Sequence, residues 1–113
     1  MDKNDVVAAL AALAQEHRLE VYRLLVQAGP GGMAAGEAAI AVGIPPNSLS
    51  FHFDRLRHAG LVSFERQGRS LIYSARYDTM NALIEYLTEN CCGGKPELCK
   101  PVNRRTKRKQ VPA

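Results

Sequence analysis

Within the stretch AAGEAAIAVGIPPNSLSFHFDRLRHAGLV, the four residues Gly43-Ile44-Pro45-Pro46 constrain the chain more than any others. Proline lacks an amide donor and carries a helical φ, so Pro46 can open a helix but cannot continue one, while Gly43 closes the short apolar helix before it. A second helix is therefore expected from about Pro46 to His58. Leu49, Phe53 and Leu56 fall on one face of that helix, and Asn47, Ser50, Phe51, Asp54 and His58 fall elsewhere. Helix, tight turn and helix is an arrangement that can set the second helix in a DNA groove.

The outward face carries small hydrogen-bonding groups, Asn47, Ser48 and Ser50, beside an apolar Phe51. Asparagine can pair bidentately with adenine, serine can donate or accept, and an apolar side chain can touch the thymine methyl. Taken alone, these residues would equally suit a solvated face with one exposed Phe. The segment that follows shifts the balance. LVSFERQGRSLIYSA holds two strand-like runs around Gln67-Gly68-Arg69-Ser70, which reads as a β-hairpin with Arg66 and Arg69 at its tip, a wing placed to touch phosphate. The expected fold is mainly α, in the α+β sense: a winged helix-turn-helix with a two-stranded wing.

The net charge of +4 is informative only once divided. Residues 100–113 carry six basic groups and no acid, whereas residues 1–99 carry nine basic against eleven acidic groups and stand at −2. A constitutive DNA-packaging protein would need a broadly basic body, so that class is disfavoured. Between Asp54 and Arg76, however, Arg55, Arg57, Arg66, Arg69 and Arg76 face only Asp54 and Glu65, a local excess of +3. Such a patch is the expected footprint on duplex DNA. The tail RRTKRKQVPA reads as basic and disordered.

Upstream, Val6, Leu10 and Leu13 recur at helical spacing from about Asp5 to Gln15, and a second helix from His17 to about Ala28 turns Val21, Leu24 and Leu25 inward before the breaker Gly29-Pro30-Gly31-Gly32. His17 reads as a solvated or capping residue, and His52 and His58 as structural or phosphate-touching. Downstream, Asp78 is expected to cap a last helix running to about Asn90, with Met80, Leu83, Ile84 and Leu87 on one stripe. A domain of this size cannot cover both stripes alone, so the first and last helices are the expected homodimer surface. A two-fold axis would then hold two reading helices roughly 34 Å apart, matching a pseudo-palindrome. No long apolar run and no secretory pattern in MDKNDVV are found, and a cytoplasmic protein with no membrane partner is expected.

From about Leu10 to Leu87 the chain resembles the ArsR-type winged-helix repressors of bacteria and archaea. The resemblance rests on ALAQEHRLEVYRLL, on GMAAGEAAIAVGIPPNSLSFHFDRLRHAGLV and on the wing ERQGRSLIY. It implies a dimer that sits on an operator and leaves when a metal or metalloid binds. Members that sense through the helix before the reading helix resemble Leu-Cys-Val-Cys there, where this chain has Met33-Ala34-Ala35-Gly36. Members that sense zinc through the last helix use Asp and His pairs, yet no His follows His58. What remains is ENCCGGKPELC, which resembles the subgroup that binds trivalent arsenic through a C-terminal cysteine triad, here Cys91, Cys92 and Cys99.

Three sulfurs without an imidazole suit a pyramidal three-coordinate ion better than tetrahedral zinc, so As(III) is the expected inducer, with Sb(III) as a second candidate and no organic cofactor. Gly93, Gly94 and Pro96 would let the chain fold Cys99 back toward the pair. Thiol redox sensing, another soft metal, or simple burial of the cysteines are the competing readings. A thiol enzyme would need a low-pKa cysteine at a helix N-terminus or in an anion-binding loop, which the sequence does not offer, so no enzymatic activity is expected. The organisation so read is a DNA-binding and dimerisation domain over residues 1–90, a metalloid-binding segment over 91–99 and a tail over 100–113.

Overall fold

The computed structural model describes residues 1–95. The elements run α1 (Lys3–Leu13), α2 (Glu16–Ala28), β1 (Met33–Ala34), α3 (Ala35–Val42), α4 (Pro46–His58), β2 (Val62–Gln67), β3 (Ser70–Ala75) and α5 (Tyr77–Thr88), followed by a short 3-10 turn at Cys91–Gly94. The fold is a winged helix-turn-helix, mostly helical with a small antiparallel sheet.

Helix α1 starts earlier than its apolar spacing suggests because Asp2 and Asp5 form a reciprocal capping box, the Asp5 amide donating to Asp2 Oδ1 at 2.9 Å. Its inward line is Val6, Ala9 and Ala12, and Leu10 is 42% exposed. Alanines at two of the three inward positions let α1 lie close against its neighbours α2, α4 and α5. Helix α2 is capped by Gln15, whose side chain accepts from the Arg18 amide at 2.9 Å. It buries Val21, Tyr22 and Leu25, with Leu24 only half-buried.

The two-stranded wing of β2 and β3 forms as expected, and β1 extends it to a three-stranded sheet of order β1-β3-β2. Residues Met33 and Ala34 pair with Tyr73 and Ile72, so β3 is the central strand. Gly32 makes the approach possible: its φ is +73°, and a Cβ there would collide with the Tyr73 carbonyl. The hairpin turns where the sequence places it, with Gln67 opposite Ser70 and Gly68 at φ +63° in the two-residue turn.

The central turn forms as its residues demand. Gly43 is left-handed at φ +82° and its amide donates to the Ala39 carbonyl at 2.8 Å. Pro46 then occupies the first turn of α4, which buries Leu49, Phe53 and Leu56. These three join Val21, Leu25, Leu61 and Val62 as the largest fully buried side chains. Each such side chain contributes about 1.5–3 kcal/mol through burial.

Helix α5 begins at Tyr77, not at a cap on Asp78. Arg76 is the N-cap residue, and Asp78 sits in the first turn, paired with the Arg76 guanidinium at 2.8 Å. The Tyr77 hydroxyl donates to the Val26 carbonyl at 2.9 Å and so ties α5 to α2. Within the proposed pairing stripes, Val6 and Leu83 are packed in the core of the single chain, because α1 and α5 rest on each other. Leu13 and Met80 are half-buried, and Leu10, Ile84 and Leu87 stay exposed together with Val7 and Tyr86.

Candidate nucleic-acid interface and cysteine turn

Because Leu49, Phe53 and Leu56 face the core, the opposite side of α4 is presented to solvent. Asn47, Ser48 and Ser50 are all exposed near its N-terminus. The Asn47 side-chain oxygen accepts from the Ser48 amide at 3.0 Å, and its NH2 group has no partner among the described residues. Phe51 is 56% exposed, with the Arg55 guanidinium 5.0 Å from its ring centre. An aromatic ring beside a cation on an open helix face can contact a base edge and the adjoining phosphate.

Arg57 is placed differently from Arg55. Its Nη2 lies 3.5 Å from Asp54 Oδ1, and its guanidinium sits 5.7 Å from the Phe64 ring on β2. It therefore bridges α4 to the wing. Behind it, Phe64 packs on Tyr73 at 5.4 Å between ring centres, and Tyr73 stacks on Phe53 of α4. Arg66 and Arg69 are exposed at the wing tip, beside a Gln67–Glu65 side-chain hydrogen bond of 3.1 Å. Helix α4 and the body of the hairpin thus belong to one aromatic-backed unit.

The histidines gain partners that spacing does not reveal. Arg18 Nε donates to the Ala12 carbonyl at 2.6 Å, and Arg18 Nη1 lies 3.4 Å from His52 Nδ1. The His17 ring is 5.8 Å from that of His52. One arginine therefore joins the end of α1, the start of α2 and the middle of α4. Burial, then the charges of Arg18 and His17, hold the His52 pKa below its ordinary value. His58 Nδ1 is bonded to the Asp54 carbonyl at 2.7 Å. The signal for Arg18 lay in a segment whose apolar periodicity drew attention to its neighbours instead.

Cys91 and Cys92 are half-buried free thiols. They follow a break in the chain direction: Asn90 and Cys92 are left-handed at φ +56° and +59°, and Gly93 and Gly94 continue at positive φ. Cys99 and the basic tail lie outside the described residues. Among the described residues, no group of three or more His, Cys, Asp or Glu side chains is placed to hold a metal, and no helix is long and apolar enough to cross a membrane.

Residues 13–63 match the model of a helix-turn-helix domain family. The chain is 29% identical over 85 residues to the HTH-type transcriptional regulator YgaV of Escherichia coli, covering 75% of this chain and 86% of the relative. It is 33% identical over 73 residues to the uncharacterized HTH-type transcriptional regulator YceK of Bacillus subtilis, covering 65% and 72%. Among solved structures, the homodimeric winged helix-turn-helix DNA-binding domain of Mb0332 from Mycobacterium bovis, a possible ArsR-family transcriptional regulator, superposes with a TM-score of 0.63 at 28% identity. That match covers 77% of this chain and 81% of the other.

Proposed function

The chain belongs to the family of helix-turn-helix transcriptional regulators, and from that premise we propose that it is an ArsR-type repressor that binds a pseudo-palindromic operator as a homodimer and is released by trivalent arsenic. The observation that carries the DNA-binding half is the open face of α4, where Asn47, Ser50 and Phe51 stand exposed beside a wing tip bearing Arg66 and Arg69. Polar and apolar groups on the helix read base edges, and the arginines set register on the backbone.

The pairing surface of the proposed dimer is the exposed apolar stripe of α1 and α5. Ile84 and Leu87 are 50% and 58% exposed, and with Val7 and Leu10 they make an apolar surface that a second copy would cover. Homodimerisation of the Mb0332 domain supports this reading.

The sensing half rests on ligand chemistry. Cys91, Cys92 and Cys99 would hold the ion, each thiol losing its proton as an arsenite hydroxide leaves as water, and antimonite fits the same donors. The cysteine turn follows directly on the α5 surface that carries Ile84 and Leu87, so a constraint on the turn bears on the dimer that spaces the reading helices. A hundredfold loss of operator affinity requires only about 2.7 kcal/mol of coupling.

The test is a gel shift on the DNA upstream of the protein's own gene, with and without arsenite. A defined footprint that disappears on adding arsenite supports the proposal. A complex indifferent to arsenite, or calorimetry showing no uptake by the reduced protein, rejects the sensing half and leaves the DNA-binding half standing.

A further inference from the structure

A groove of about 260 Å³ runs between α1 and the C-terminal half of α4. Ala8, Ala11 and Ala12 form its α1 wall, and its polar lining is Arg18, Arg55 and His58, with no carboxylate among the lining residues. Among the described residues the ion pairs are Arg57–Asp54 and Arg76–Asp78, so neither Arg18 nor Arg55 has a carboxylate partner there. Arg18 is half-buried and pinned by neutral partners only, the Ala12 carbonyl and the His52 ring. A guanidinium held rigid, partly desolvated and without a counter-charge is poised for an anion.

The neighbouring groups sharpen the chemistry. Arg55 lies over the Phe51 ring, which leaves its nitrogen edge available for planar two-point contact. His58 is bonded through Nδ1 to the Asp54 carbonyl, and Nε2 has no partner among the described residues. Short alanine side chains along α1 permit a tetrahedral oxyanion and its ester substituent to approach both arginines.

We propose that this groove is a phosphate-class anion site, held by Arg18 and Arg55 with His58 at its rim. The anion is either a backbone phosphate of the bound duplex, reached from the flank of the reading helix, or a phosphorylated small molecule. Only the first source rests on the operator-binding reading above.

The experiment uses the full-length reduced protein, with inorganic phosphate as the probe, followed by calorimetry and by 31P line broadening. Arg55→Gln and Ala11→Glu, the latter placing a carboxylate in the groove, should each weaken phosphate binding about tenfold or more. Arg23→Gln makes the same change of net charge away from the groove and should match the wild type. Circular dichroism melts and sedimentation confirm that each variant folds and keeps the oligomeric state of the wild type. In parallel, the salt dependence of duplex binding is measured: a slope reduced by about one in Ala11→Glu but not in Arg23→Gln identifies a duplex phosphate. An unchanged slope with weakened phosphate binding identifies a free anion. If both phosphate binding and salt slope are the same in wild type and groove variants, the site does not exist. Failure of the wild type to bind any duplex would sink the operator reading instead, and the inorganic phosphate measurement would still decide the groove.

Discussion

Phe53 of α4 and Tyr73 of the central strand lie face to face, their ring centres 3.8 Å apart and their planes 5° from parallel. Phe53 is 1% exposed and is the largest of the fully buried side chains, so this stack attaches α4 to the wing through the core. Phe53→Ala should cost about 3–5 kcal/mol, a large part of the stability of a domain this size, read as a fall in the urea midpoint. Phe64→Ala, at a half-open position, should cost under about 1 kcal/mol. Equal losses for the two would show that the stack is not what anchors the helix.

Two glycines should respond to alanine with opposite signs. At Gly32 a Cβ meets the Tyr73 carbonyl and φ is +73°, so Gly32→Ala should destabilise by about 2 kcal/mol or more and unpair β1. At Gly36 nothing lies within 4 Å of an added Cβ, and the residue is in α3. Gly36→Ala should stabilise by about 0.5 kcal/mol. Thermal melts of the two variants against the wild type provide the check.

The pH dependence follows from His52. Its pKa is lowered from 6.5 by burial first and by the Arg18 and His17 charges second, so the native state resists protonation more than the unfolded chain does. The stability contributed by neutral His52 is present above the unfolded value and declines as pH falls through the lowered folded one. Urea midpoints measured from pH 8 to pH 5 should drop over the acid end of that range, and His52→Gln should make the drop shallower. A wild-type curve parallel to that of His52→Gln would refute the assignment.

Much of the reading unit is legible in the sequence, and for local reasons. Gly43, Pro46 and Gly68 act through their own φ angles, so the bounds of α4 and the turn of the hairpin follow without knowledge of the rest of the chain. The misses are non-local or hidden in small residues. A two-residue strand has no alternation to detect, and the partners of Met33 and Ala34 lie far along the chain. Ala9 and Ala12 carry the inward face of α1, where a search for large apolar residues selects Leu10 instead. The Arg18–His52 contact joins separate helices and leaves no periodic trace.

On DNA, the two sets of side chains should separate cleanly. Arg66→Ala and Arg69→Ala should weaken binding to all duplexes and each lower the salt slope by about one. Asn47→Ala and Ser50→Ala should leave that slope alone and relax sequence preference, at about 1–3 kcal/mol per lost base contact. Competition assays against mismatched duplexes at several salt concentrations distinguish the two patterns. Unchanged slopes in both arginine variants would remove the wing from the interface.

For sensing, Cys91→Ser, Cys92→Ser and Cys99→Ser should each preserve operator affinity and abolish release by arsenite in a gel shift. If all three still let go of DNA on addition of arsenite, the cysteines are not the inducer site.

Strand β1 passes into α3 without an intervening residue, and β1 is itself hydrogen-bonded to the middle strand of the sheet. The base of the wing and the first helix of the helix-turn-helix are thus tied together through one sheet. On the operator-binding proposal, a duplex whose groove width already matches the span from α4 to the wing, or which bends to it cheaply, would be favoured even at base pairs that no side chain reaches.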